Sequence, residues 1–292
     1  MEQFVIFGPS NSGKTSLLST LQQAVFNRDE SGWRVIPKSE GARRLFRAAG
    51  GAVLDGRAIA NATYDMTKVA FEFEFTRKPS LFLPRQTVKA HYSLLDGPGG
   101  ALFVDGTAGG QDDDVEQAEA FRAELLSHMR QSIGAMLCVD ATDRSKARSF
   151  FLNLPDILCD LGMDKLPFRR FVICLTKADA LFVDRRSQAH EAAQQSDAVQ
   201  LARDILTRPG VNALLSFAPK TMEIAVAMTS AYGFDVERGN ALIDARTGQI
   251  ALRADGRTGD ISQDIERWQP FRVVDPFIFL ASGDLGSLQR WR

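Results

Sequence analysis

The clearest chemical signal in this 292-residue chain is the stretch GPSNSGKT at positions 8–15, which fits the pattern G-x-x-x-x-G-K-[ST]. It follows an apolar run and precedes a helix-prone segment, so a strand, a loop and a helix come in direct succession. The backbone N–H groups of such a loop and the positive end of the helix dipole hold phosphate oxygens. Lys14 would reach the β- and γ-phosphates, and the Thr15 hydroxyl would bind Mg²⁺. The predicted phosphate-binding residues are Gly8, Asn11, Ser12, Gly13, Lys14, Thr15 and Ser16.

A second candidate is the turn DGPG at 96–99, which follows the apolar end of a predicted strand. An acid at the tip of a buried strand beside a phosphate loop is placed to hold Mg²⁺, usually through a water molecule, and Asp96 has that place. Gly99 would bring a backbone N–H close to the γ-phosphate. The pattern D-x-x-G alone is often only a turn, but its order after the phosphate loop and a strand favours the functional interpretation.

Two later loops contain residue types that suit recognition of a guanine base. In TKAD at 176–179, the Asp179 carboxylate could accept hydrogen bonds from the N1 and N2 hydrogens of guanine, while Lys177 lays its stem along the base. Adenine has no such pair of donors. Ser230 and Ala231 follow the last apolar strand and would turn a backbone N–H toward guanine O6. Each loop is a weak signal alone, but the fixed order of the four motifs constrains all of them.

In this order the motifs resemble those of the Ras-like P-loop GTPase superfamily across residues 4–234. The resemblance implies bound GTP or GDP with Mg²⁺ and two switch segments that respond to the γ-phosphate. It also implies a threonine in the first switch, and Thr67, directly before a charged-apolar strand, is favoured over Thr63. The catalytic residues it implies are Lys14, Thr67 and Gly99; the metal ligands are Thr15, Thr67 and Asp96; and the base-binding residues are Thr176, Lys177, Asp179, Ser230 and Ala231.

The sequence also departs from the superfamily pattern in several places. Gly100 stands where many relatives carry the glutamine that orients the attacking water, which predicts slow unaided hydrolysis. Thr176 replaces the commoner asparagine, the first switch is unusually long, and a hairpin is inserted after Tyr232. More narrowly, the long switch and the apolar Asp-Pro-Phe tail resemble bacterial double-GTPase proteins linked to conflict systems.

Apolar periodicity predicts the elements that must position these motifs. Apolar runs predict buried strands at 135–139, 171–175 and 222–228, and 68–75 with 87–95 predict an antiparallel hairpin near a sheet edge. Helices are predicted over 14–26, 39–49, 115–129, 144–161 and 185–206, and a terminal helix over 270–281 is interrupted at Pro276.

This alternation predicts a three-layer α/β fold, and with the resemblance a P-loop GTPase fold: a mixed six-stranded sheet with helices on both faces. A small β-hairpin is predicted between Gly239 and Gly256. We expect one elaborated GTPase domain over residues 1–292, with insertions at about 28–62 and 236–266 relative to the P-loop GTPase pattern.

Composition excludes several classes of partner. The 35 basic and 36 acidic residues nearly balance, so neither nucleic acid nor an anionic membrane is expected as the main partner. The three cysteines lie in apolar segments without C-x-x-C spacing, which predicts buried free thiols in a reducing compartment. Without a visible secretory signal or lipid anchor, we expect a cytoplasmic protein.

The leading hypothesis is a magnesium-dependent GTP-binding switch with slow intrinsic hydrolysis that signals to a protein effector or activating partner. One alternative is an interaction module that stays loaded with GTP and does not hydrolyse it. Another is an ATPase or small-molecule kinase, because the phosphate loop alone is common to all of these. Asp179 argues against this last alternative.

Overall fold

A computed structural model of the chain describes residues 2–9, 11–26, 32–54, 67–77, 86–96, 112–160, 162, 164–235, 239 and 268–291. Its main sheet consists of β1 (Glu2–Phe7), β2 (Trp33–Pro37), β3 (Thr67–Arg77), β4 (Gln86–Asp96), β5 (Gly134–Asp140), β6 (Arg170–Thr176), β7 (Glu223–Met228) and β10 (Gln289–Arg290). A separate antiparallel pair consists of β8 (Ser230–Asp235) and β9 (Trp268–Phe271). The helices are α1 (Lys14–Phe26), α2 (Glu40–Leu54), α3 (Asp112–Gln131), α4 (Arg144–Asp160), α5 (Ala189–Gln195), α6 (Ala198–Phe217) and α7 (Asp275–Ser282), with a 3-10 helix, Ala178–Gln188, before α5.

The sheet places β1 at its centre. The strand order is β10-β7-β6-β5-β1-β4-β3-β2, and the five strands from β7 to β4 in this order are parallel. β3 runs antiparallel to β4, so the six strands from β7 to β3 form the predicted mixed sheet. The short strands β2 and β10 lie at opposite edges of the sheet, each antiparallel to its neighbour.

Helices cover both faces of the sheet, as the three-layer prediction requires. Along β1, Phe4 and Ile6 point to one face and Val5 and Phe7 to the other, and all four side chains are buried. Such apolar runs without alternation are typical of parallel strands covered on both sides. One core contains apolar residues of α1, α2 and α7, and the other contains residues of α3, α4 and α6.

The helix predicted over 185–206 is wrong in its bounds. A 3-10 helix ends at Gln188, α5 ends at Gln195, and α6 begins after Asp197, whose carboxylate accepts a 2.8 Å hydrogen bond from the N–H of Gln200. This side-chain cap starts a new helix because it satisfies one of the N–H groups that have no partner within the helix. The structure therefore divides the predicted helix into three shorter segments.

The terminal segment also differs from its prediction. Residues 268–271 form β9, and α7 begins only at Asp275, with Pro276 in its first turn. Proline fits there because its missing N–H would have no partner within the helix. Pro276 thus starts the helix rather than interrupting it, and Gly283, at φ 83°, ends it.

The stretch 28–62 contains β2 and α2 among its described residues. The Ser39 hydroxyl accepts hydrogen bonds from the N–H groups of Ala42 and Ala70, which join the start of α2 to β3. α2 continues past Gly50, where the sequence predicted its end, to Leu54. The buried Glu72 carboxylate lies 3.3 Å from the ammonium of Lys38 and 3.5 Å from that of Lys89, so ion pairs stabilise the added edge strand.

Of the remaining predictions, the structure tests the burial of the cysteines but not the inserted hairpin. The predicted hairpin between Gly239 and Gly256 lies outside the described residues except for Gly239, and β8 and β9 flank it. Cys138 and Cys174 are buried as predicted, whereas Cys159 is exposed, so that prediction is wrong for one of the three thiols. Of the helices in the described part of the chain, none combines the length and the apolar character needed to cross a lipid bilayer.

Candidate functional site

The phosphate loop lies where β1 ends and α1 begins, and two glycines allow it to pack closely on the sheet. At Gly8, φ is 150°, and a Cβ atom there would lie 2.2 Å from the carbonyl oxygen of Cys138 in β5. At Gly13, φ is 76°, and a Cβ atom would lie 3.1 Å from the Thr176 hydroxyl oxygen in β6. Real side chains do not tolerate the first distance, so the loop can have this shape only with glycine at position 8.

The ammonium of Lys14 folds back over this loop. Its Nζ donates hydrogen bonds of 3.1 Å to the Gly8 carbonyl and 2.9 Å to the Pro9 carbonyl, and the residue is only 7% exposed. Asn11 has a left-handed backbone, with φ 59°, which asparagine tolerates better than most residues. The loop thus combines a buried cation with the N-terminus of α1, an arrangement that suits an anion.

Thr176 connects the phosphate loop to the loop after β6. Its hydroxyl lies 2.6 Å from the Ser12 carbonyl and 3.1 Å from the Val139 carbonyl, so one side chain contacts the phosphate loop, β5 and β6. The residue is 3% exposed. The sequence named Thr176 as part of the base-recognition motif, and the structure gives it this bridging position.

Asp179 and Ser230, which belong to two different predicted motifs, are in contact with each other. The Ser230 hydroxyl donates a 2.5 Å hydrogen bond to Asp179 Oδ1, and the N–H of Gly233 donates to that hydroxyl at 2.8 Å. Burial raises the pKa of Asp179 to about 6, although hydrogen bonds from Ser230 and from backbone N–H groups act in the opposite direction. A second link, the 3.0 Å hydrogen bond from the Ala178 N–H to the Thr229 carbonyl, holds the two loops together. The side chain of Ala231, the other residue of this motif, is buried beside them.

Lys177 forms an ion pair with a residue that the sequence reasoning did not name. Its Nζ lies 2.6 Å from Oδ2 of Asp140, the last residue of β5. Lys177 has a left-handed backbone, with φ 56°. Asp140 follows the apolar run of β5 as Asp96 follows that of β4, so an acid at the carboxyl end of a parallel strand was a readable signal.

The backbone places the predicted Mg²⁺ ligands at the same end of the sheet. Thr67 and Asp96 are Cα partners across β3 and β4, and Ile6 of β1 pairs with Leu94 of β4, two residues before Asp96. Thr15 follows Lys14 in α1. Gly99, Gly100, Thr63 and Gln111 lie outside the described residues. Within the described ranges, His, Cys, Asp and Glu side chains form no group of three or more that could hold a metal ion.

The strand order has β1 at the centre, and the loops after β1, β5, β6 and β7 meet at one edge of the sheet, joined by the contacts of Thr176, Lys177 and Ser230. The fold is a three-layer α/β fold with a glycine-containing loop after its central strand. The strands and helices of this fold therefore position both that loop and the loop that contains Asp179.

Comparisons with known proteins find similarity in structure but not in sequence. No protein-family model matches the chain, and no curated protein matches it. Solved structures with a similar arrangement include a GTP-binding protein from Sulfolobus solfataricus in complex with GDP, at 16% identity and a TM-score of 0.34, covering 79% of this chain and 47% of that one. A second is the Arl6 BBS3 small GTPase from Trypanosoma brucei with a bound nucleotide analogue, GppNp, at 14% identity and a TM-score of 0.35; the match covers 79% of this chain and 87% of that one. A third is the GTPase-like domain of Ski7 from S. cerevisiae bound to GDP and inorganic phosphate, at 16% identity and a TM-score of 0.39; the match covers 88% of this chain and 47% of that one. The chain thus spans about half the length of the Sulfolobus protein.

Proposed function

We propose that this protein is a magnesium-dependent, guanine-nucleotide-binding switch that hydrolyses GTP slowly and signals to a protein partner. The observation that supports this most is the carboxylate of Asp179, which is buried in the loop after β6 and held by the Ser230 hydroxyl. A buried carboxylate is costly unless donors surround it. A guanine base supplies two such donors, its N1 and N2 hydrogens.

The charge of Asp179 supports guanine over adenine. With a pKa of about 6, most of the carboxyl groups are ionised at neutral pH, and an ionised carboxylate only accepts hydrogen bonds. The guanine edge donates two, whereas the corresponding edge of adenine offers no such pair. An adenine nucleotide would therefore leave the buried carboxylate with only its donors from the protein, without the two that guanine adds.

The phosphate end of the site would be formed by the loop at 8–15. The Lys14 ammonium now bonds to two carbonyls of that loop, and the phosphates of a nucleotide would offer it a stronger, charged acceptor. Thr15, Thr67 and Asp96 would hold Mg²⁺, which when bound neutralises charge on the phosphates. The oxygen atoms of these three side chains fit the preference of Mg²⁺ for hard ligands.

A switch also needs an element that connects the γ-phosphate to the surface. Asp96 and α3 lie on either side of the segment that contains Gly99. The Ser93 hydroxyl in β4 lies 2.8 Å from Nδ1 of His128 in α3, so the two elements beside this segment are linked to each other. Gly99 would bind the γ-phosphate, and Gly100 offers no side chain to orient water, which supports slow hydrolysis and a cycle that depends on a partner.

Nucleotide competition tests the proposal. We expect purified protein to bind GDP and GTP far more tightly than ATP with Mg²⁺ present, and Asp179→Asn to lose that selectivity. Asp184→Asn changes an exposed carboxylate in the same 3-10 helix and serves as the matched control. Equal affinity of the wild type for ATP and GTP would contradict guanine recognition. Unchanged binding in Lys14→Ala would contradict the phosphate-loop assignment.

A further inference from the structure

The ion pair between Lys177 and Asp140 joins the carboxyl ends of two neighbouring strands. β5 and β6 are parallel, and Asp140 is the Cα partner of Thr176, the residue before Lys177. The N–H of Ala141 donates a 3.1 Å hydrogen bond to the Thr176 carbonyl, which holds the two loops side by side. The backbone alone therefore places Asp140 next to Lys177.

The carboxylate of Asp140 is itself held in one orientation. Its Oδ1 accepts hydrogen bonds from the N–H of Thr142 at 2.8 Å and from the hydroxyl of Thr142 at 2.6 Å. Its Oδ2 accepts the 2.6 Å hydrogen bond from Lys177 Nζ. The Asp140 side chain is 13% exposed and that of Lys177 is 43% exposed. The mostly buried carboxylate of Asp140 thus holds the ammonium end of the long, flexible side chain of Lys177.

We propose that Asp140 is a positioning residue for nucleotide binding, which acts by holding the stem of Lys177 as a preformed wall of the guanine site. This inference rests on the function proposed above, in which Lys177 lies along the base. A lysine stem loses rotational freedom when it packs on a ligand, and a side chain already held at its far end loses less on binding. Because the contact is with the base, the contribution does not depend on the number of phosphates.

An exposed ion pair without this role would have little effect on binding. The pair between Lys146 and Asp143 is a suitable comparison, because it lies near the same loop, with 3.2 Å between Nζ and Oδ2, and involves no residue of the site. Asp143→Asn is therefore the matched control for Asp140→Asn.

Displacement of a fluorescent GDP analogue by GDP and by GMP tests the inference. We expect Asp140→Asn and Asp140→Ala to weaken both ligands by the same factor, roughly three- to tenfold, and Asp140→Glu to recover part of the loss. Asp143→Asn should leave both affinities unchanged. In a Lys177→Ala background, Asp140→Ala should have no further effect, because its role passes through Lys177.

Two results would overturn this inference alone. The first is wild-type affinity in the Asp140 variants. The second is an additive loss of affinity in the double variant, which would show that Asp140 acts only on its own loop, through Thr142. A wild-type protein that binds neither GDP nor GMP would overturn the proposed function as well. Thermal unfolding of each variant checks that the fold is intact.

Discussion

The hydroxyl of Ser230 donates a 2.5 Å hydrogen bond to the carboxylate of Asp179, which lies 51 residues earlier in the chain. It also accepts a hydrogen bond from the N–H of Gly233. Ser230 is fully buried, so water does not replace either contact when the hydroxyl is removed. The pair couples the loop after β6 to the start of β8.

Ser230→Ala should therefore weaken guanine nucleotide binding. A hydrogen bond to a charged group contributes about 1.5–3 kcal/mol, and we expect a loss in that range for GTP and GDP alike. Isothermal titration calorimetry measures it. Ser216→Ala, which changes an exposed serine on α6, is the control. Unchanged affinity in Ser230→Ala would mean that Asp179 keeps its orientation without this contact.

The raised pKa of Asp179 predicts a pH dependence of stability. The unfolded group titrates near 3.8 and the folded group near 6, so the folded protein binds more protons between these values. The free energy of unfolding should fall by roughly 3 kcal/mol as pH rises through that window, because of this one group. Above the window, its contribution should stay constant. In Asp179→Asn the gain in stability over the wild type should be larger at pH 7.5 than at pH 4.5. Urea unfolding at both pH values measures this difference, and a pH-independent difference would contradict the prediction.

Removing the hydroxyl of Thr176 should affect both stability and binding. Thr176→Val keeps the shape of the side chain but removes the donor to the Ser12 carbonyl, and we expect a loss of about 1–3 kcal/mol in the free energy of unfolding. Nucleotide affinity should fall too, because the loop loses its contact with β6. Thr20→Val is the control, since that buried hydroxyl bonds only carbonyls of its own helix. Equal effects of the two substitutions on affinity would rule out a bridging role.

The contact between Ser93 and His128 should hold α3 on the sheet. Ser93→Ala removes the 2.8 Å hydrogen bond, and we expect amide hydrogen exchange in the last turns of α3 to become roughly fivefold faster, which corresponds to about 1 kcal/mol. Ser127→Ala removes an exposed contact on the same helix and should leave exchange unchanged. Equally faster exchange in both variants would show that the effect does not depend on the contact between Ser93 and His128.

Isolated protein should hydrolyse GTP slowly. A Ras-type site with its glutamine turns over at about 3–5 × 10⁻⁴ s⁻¹, and we expect this rate or less here because Gly100 has no side chain. Single-turnover assays measure it. A rate on the order of 1 s⁻¹ would reject the prediction, and its loss in Gln111→Ala would identify the residue responsible. A rate of zero, even with partners present, would favour the module that stays loaded with GTP.

The sequence predicted the six central strands well because each is a local pattern. β1, β5, β6 and β7 each contain an unbroken run of apolar residues, and β3 and β4 alternate in character as antiparallel neighbours. The break before α6 was readable too, since Asp197 and Gln200 have the spacing of a helix cap. β10 was not predictable, because two residues have no period.

Within the candidate site, the motif residues stand in short local patterns, whereas Asp140, the partner of Lys177, does not. Lys14, Thr176, Asp179 and Ser230 belong to short patterns whose chemistry can be read one motif at a time. The role of Asp140 depends on the parallel register of β5 and β6, which no local pattern specifies. Contacts between distant segments depend on topology, and a single sequence gives no direct measure of it.

The central place of β1 in the sheet has a consequence for synthesis. Phe4 pairs with Tyr92 on one side and Gly134 on the other, so β1 has both neighbours only after β5 has been synthesised, more than 120 residues later. At about 5–20 residues per second, β1 waits roughly 7–27 s for its second neighbour, and the Thr176 contact with the phosphate loop forms later still. A nascent chain therefore contains the sequence of this loop well before the contacts that fix the shape of the loop can form.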